Sequence, residues 1–107
     1  MTTSVDSREA AARLATAAVA ERLAACVQVV GPIRSTYRWR GQVEEADEWY
    51  CHCKTTRARY PELESRLRAL HPYDVPEIVA VPIVAGSPAY LAWIEDSVRA
   101  TPTPPAP

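Results

Sequence analysis

The sequence has only three glycines and one lysine, Lys54, and these scarcities already remove whole classes of function. Three glycines cannot supply a phosphate-cradling loop, which needs several within a few residues. No Cys-x-x-Cys motif is present, and no nucleophile–base pairing can be read from the chain, so no enzymatic activity and no organic cofactor are expected. There is no apolar run of about 18 residues to span a bilayer and no basic-then-apolar leader at the start. The expectation is a cytoplasmic protein without a membrane partner. Twelve basic residues stand against 13 acidic ones with the signs interleaved, so nothing draws the whole chain toward nucleic acid. Three cysteines, Cys26, Cys51 and Cys53, are an odd number without a secreted-framework spacing, and reduced thiols are expected rather than disulfides.

What remains is an ordinary globular composition, 48% hydrophobic and 23% charged over 107 residues, enough for one core. The sequence predicts a single domain over residues 1–100 and a disordered proline-rich tail, Thr101–Pro107. Asp6 followed by Glu9 has the spacing of a capping box, opening an alanine-rich helix to about Leu23 with Ala11, Leu14, Ala15, Ala18 and Val19 as its buried stripe. From Cys26 the pattern turns β-branched and alternating up to Trp39, with a bend at Gly31-Pro32. Gly41 marks a turn and Val43–Thr55 the returning arm, giving a hairpin longer than usual. On that arm alternation puts Trp49, Cys51 and Cys53 on one face and Tyr50, His52 and Lys54 on the other.

A second helix carries Tyr60, Leu63, Leu67 and Leu70 at helical spacing and stops at His71-Pro72. The apolar run Glu77–Val84 reads as a strand covered on both faces. Ser87-Pro88 then starts a terminal helix with Leu91, Ile94 and Val98 as its stripe. This order is an α+β, ferredoxin-like βαββαβ sandwich with a long hairpin and an added C-terminal helix. Its first strand is apparently truncated, because only Met1–Val5 precede the first helix.

Five segments, in the order of a known family, carry a resemblance spanning most of the chain: Glu21–Val27, Ser35–Gly41, Lys54–Thr56, His71–Ile78 and Tyr90–Ile94. The chain resembles the CutA family. The resemblance implies a ferredoxin-like subunit in a tight homotrimer built through extended hairpins, binding of copper and other divalent metals, a role in divalent-cation tolerance, and an architecture like that of the PII signalling proteins. It also implies that His71 matches a position implicated in copper binding, so Cu(II) or another divalent ion is the expected cofactor. Relatives add a cysteine in the first strand and a histidine just before this one, where this chain has Thr2 and Leu70.

Two readings of His71 stand side by side. Imidazole fixed between a helix end and a proline can ligate copper or zinc, or it can cap the last helical carbonyls and stack on Tyr73. Cys26 is read as a small buried hydrophobe before a metal ligand. Tyr37, Trp39, Lys54, Tyr73, Glu77 and Trp93 are expected to converge in a cleft where the hairpin end of one subunit meets the His71–Glu77 segment of the next. That cleft would bind a small anionic ligand beside Lys54, in the manner of a signalling module, or serve as an interface core. Glu44, Glu45, Asp47 and Glu48 read as a solvated strand edge.

Overall fold

The computed structural model describes residues 1–99. The expected tail Thr101–Pro107 lies outside the described residues. Seven elements follow in order: β1 Thr2–Val5, α1 Arg8–Ala20, β2 Cys26–Trp39, β3 Gln42–Lys54, α2 Tyr60–Leu70, β4 Ile78–Val79 and α3 Pro88–Ser97. The strands form one antiparallel sheet in the order β2-β3-β1-β4.

The short first strand fills the middle of this sheet. Thr2 to Val5 pair with His52 to Trp49 on one side, and Thr2 and Thr3 pair with Val79 and Ile78 on the other. Four residues therefore cover β3 where it joins the domain, and no gap is left beside that part of β3.

Capping explains where α1 begins and ends. Ser7, not Asp6, is the N-cap, its hydroxyl accepting from the Ala10 N–H at 3.0 Å, which satisfies one of the orphan donors of the first turn. The helix stops at Ala20, earlier than Leu23, because Arg22 takes a left-handed conformation with φ 59°. Ala18 then accepts from the N–H groups of Leu23 and Ala24, as left-handed helix termini do. The buried stripe is Ala10, Ala11, Leu14 and Ala18, while Val19 faces outward.

α1 and α2 lie on one face of the sheet and close the core with Val5, Leu14, Leu23, Cys51, Cys53, Leu63 and Leu67. Trp49 packs against it, so the alternation read from β3 is correct. Burial alone pushes the Cys51 thiol up to about 11 and is the largest cause pushing Cys53 up to about 12, which makes both inert packing groups. On the opposite face Tyr50, His52 and Lys54 stay partly exposed.

Beyond Trp49, β3 pairs with β2 alone, so the outer half of the hairpin is a two-stranded ribbon in a molecule measuring 61 × 28 × 21 Å. Arg40 and Gly41, both at positive φ, form the two-residue turn whose twist suits a hairpin. A bulge between Val30 and Ile33 interrupts the ladder at Gly31-Pro32, near the ring of Trp49.

The expected strand over Glu77–Val84 is reduced to Ile78–Val79, and it is not covered. Val81 is 77% and Val84 91% exposed. An unbroken apolar run signals burial on both sides without saying which chain provides it. Among the described residues nothing in this chain does. α3 buries Ile94 and Val98 against Ala25 with Leu91 alongside and leaves Tyr90 and Trp93 exposed.

Candidate functional site

Alternation along the ribbon decides what faces what. Tyr37 pairs with Glu44 and Ile33 with Glu48, so Ile33, Tyr37, Trp39, Glu44, Glu48 and Tyr50 share one face, the one opposite the helices. The loop that follows α2 returns over this face and closes a cleft of about 700 Å³ with Tyr73, Asp74 and Glu77. Tyr73 anchors the loop, its hydroxyl donating to Glu48 Oε2 at 2.7 Å. Burial above all, with that hydrogen bond and the Glu48 charge behind it, holds the phenol well above its ordinary pKa.

Of the six residues expected in a cleft, Tyr37, Trp39, Tyr73 and Glu77 line this one. Within this chain the hairpin and the loop after α2 bring all four together. Lys54 and Trp93 do not line it. Lys54 sits at the other end of β3, opposite Cys26, and its ammonium donates to Gln28 Oε1 at 2.8 Å. Trp93 lies on α3 with its ring 5.5 Å from that of Tyr90. Among the described residues this cleft carries the carboxylates of Glu44, Glu48, Asp74 and Glu77 and the guanidinium of Arg34, with Lys54 placed apart from it.

Glu48 also corrects the reading of the acidic run as solvated. It is only 7% exposed, while Glu44, Glu45 and Asp47 are exposed. The sequence held a signal for this, since Glu48 lies two residues from Tyr50 and must share its face. Arg34 and Tyr50 are further lining residues outside the motifs, and Asp74 lies within the His71–Ile78 motif without being named for the cleft.

His71, at the C-cap of α2, is buried with both ring nitrogens engaged. The Tyr73 N–H donates to Nδ1 at 3.1 Å and Nε2 meets the Ser4 carbonyl at 2.9 Å. A backbone N–H can only donate and a carbonyl can only accept, so the proton sits on Nε2 and the ring is neutral. The His71 ring lies 4.9 Å from that of Tyr73, tilted by 59° and not stacked on it. The ring thus ties the loop to the central strand, and a metal ion would have to displace one of these bonds. Cys26 is half-buried, its sulfur 3.4 Å from the Tyr90 hydroxyl and 3.5 Å from Gln28 Nε2. Thr2 Oγ1 lies 3.1 Å from His52 Nδ1, and Leu70 is on the exposed side of α2. Among the described residues no three histidine, cysteine or carboxylate groups gather into a metal site, so the donor set of one chain does not fit the copper site implied by resemblance.

Burial lowers the His71 pKa below 6.5, more than the Ser4 carbonyl, Asp6 and Glu48 raise it. The unfolded chain then takes up the proton first, so the stability gained from the neutral ring is complete above about 6.5 and drains away as pH falls through the folded-state value. Urea midpoints should drop more steeply between about pH 7 and about pH 5 in the wild type than in His71→Gln. Parallel curves would show that His71 does not couple the loop to protonation.

The family model described as CutA1 divalent ion tolerance protein matches residues 1–97. The chain belongs to the CutA1 family. The divalent-cation tolerance protein CutA of Thermus thermophilus is 50% identical over 93 residues, covering 87% of this chain and 90% of that one. The chloroplastic CutA of Arabidopsis thaliana is 43% identical over 95 residues, 89% of this chain and 52% of that one, so this chain spans about half the length of that plant relative. Among solved structures, the Thermus thermophilus Cut A1 protein superposes with a TM-score of 0.89 at 47% identity, covering 92% of this chain and 95% of that one. CutA1 of Oryza sativa gives 0.90 at 39% identity, covering 94% and 92%. The CutA1 fold accounts for the four-stranded sheet with three helices described above. A role connected with divalent-cation tolerance follows from family membership. No helix among the described residues is long and apolar enough to cross a membrane.

Proposed function

We infer that this CutA1-family chain acts in divalent-cation tolerance as a homotrimer, without catalysing a reaction, and that its contact with Cu(II) or another divalent ion uses donors from more than one subunit. The observation that carries this reading is the uncovered apolar run. Val79, Val81, Ile83 and Val84 stand exposed, and the outer half of β2 offers an unpaired edge along Ile33–Trp39. An apolar extended segment and a free strand edge in one molecule complement each other between copies, and a closed ring satisfies every such pair. Donors from several subunits are invoked because His71 is engaged within its own chain. A cytoplasmic setting is supported by three free thiols in a framework without disulfides.

Light scattering at micromolar concentration tests the assembly. The expected mass is about three times the 11.8 kDa of the chain, falling to one chain in the double variant Val81→Asp, Ile83→Asp. A monomeric wild type would refute the trimer. Calorimetric titration with Cu(II) should give saturable binding by the trimer that weakens in the double variant; no saturable binding to either would end the copper reading.

A further inference from the structure

Glu48 poses a problem that the cation-tolerance reading does not solve. The residue as a whole is only 7% exposed in the cleft wall, and among the described residues its carboxylate takes one hydrogen bond, from the Tyr73 hydroxyl to Oε2. Among the described residues no arginine or lysine forms an ion pair with it. Buried carboxylates are ordinarily paired with a cation or bound to a metal. Among the described residues the one cation in the cleft lining, Arg34, is already committed to Glu45 at 2.9 Å and Asp47 at 3.2 Å. Glu44, Asp74 and Glu77 add to the same negative field.

We propose that the cleft binds a small organic cation, an ammonium or guanidinium group on an apolar body, with Glu48 as its counter-ion and the rings of Tyr37, Trp39 and Tyr50 as the surface it lies against. Two observations favour an organic cation over a bare metal ion. The carboxylates are spread along the cleft and no three of them close on one point, whereas a divalent ion needs several oxygens at once. Aromatic side chains line the same space, and the faces of such rings attract ammonium and guanidinium groups while covering their apolar substituents. Tyr73 has a defined part: its hydroxyl occupies one oxygen of Glu48 and so orients the other. Because the cleft is built within one chain, the proposal does not depend on the homotrimer.

The test is calorimetric titration of the full-length protein with three probes of one shape, 2-phenylethylamine, 2-phenylethanol and 3-phenylpropionate. The expected result is saturable binding of the amine, at least tenfold weaker binding of the alcohol, and no binding of the acid. Glu48→Gln should weaken the amine at least tenfold, to the level of the alcohol, with the mass by light scattering unchanged. Trp39→Leu, at an exposed position, should weaken the amine at least fivefold and decides the matter if Glu48→Gln does not fold. Equal binding of amine and alcohol, full amine binding by the variant that reports, or no amine binding by a folded wild type would each overturn the proposal. A neighbouring subunit filling the cleft would appear as the last of these. A monomeric mass with intact amine binding would instead refute the trimer alone.

Discussion

Leu67→Ala is expected to cost about 2–5 kcal/mol of folding stability, the range for removing a fully buried leucine side chain. Leu67 has no exposed surface and sits in the core that α1, α2 and the sheet enclose. The upper half of the range is expected because elements on several sides resist collapse into the space left behind. Urea unfolding measures the loss directly. Leu70→Ala is the internal comparison, since it removes the same atoms from the same helix at a site that is 39% exposed and should cost under about 1 kcal/mol. Equal losses would mean that α2 does not present the face described. The substitution also reaches the cleft, because α2 delivers His71 and therefore the loop that Tyr73 fastens to Glu48.

Gly31→Ala is the second large effect, at about 1–3 kcal/mol from overpacking. A β-carbon there would stand 2.4 Å from Cδ1 and 2.7 Å from Cγ of Trp49. The indole is not the loose end of a flexible chain, since it packs against the core and its Nε1 is buried without a partner among the described residues. The ring must move or the bulge must open. Either response changes how the outer ribbon leaves the domain, so Tyr37 and Trp39 shift relative to Tyr73. A red-shifted tryptophan emission together with a lowered urea midpoint is the expected signature. Gly86→Ala should be milder, because its β-carbon meets the mobile end of Leu91 at 3.1 Å. A wild-type emission spectrum and midpoint in Gly31→Ala would contradict the contact.

These two sites also show how far the sequence could be read. The 3.6-residue spacing of Leu63 and Leu67, the alternation from Trp49 to Cys53 and the turn at Gly41 are local signals, and the structure matches them. The local patterns also carried the fold class, since the order of elements left few ways to close a core. What failed depended on contacts that sequence neighbours do not reveal. Glu77–Val84 has the composition of a covered strand, but among the described residues nothing covers Val81 or Val84. His71 looks free in sequence because the carbonyl that engages it belongs to Ser4, 67 residues away. Glu48 looks solvated because its neighbours in sequence are exposed, while the Tyr73 that buries it lies 25 positions on. Chemical type alone groups Lys54 with Tyr37, yet they occupy opposite ends of the hairpin.

The position of β1 has a consequence for biosynthesis. This strand is made before either of its neighbours in the sheet, one pairing through Trp49–His52 and the other through Ile78–Val79. At ribosomal rates of about 5–20 residues per second, roughly 4–15 s pass between the emergence of Val5 and that of Val79. The hairpin needs only its own two arms and can zip locally, on a microsecond scale. Once the ribbon has formed, β1 can pair with β3, and only its other edge waits for Ile78–Val79. Val5, with no exposure in the finished fold, meets its strand partner Trp49 well before Val79 is made.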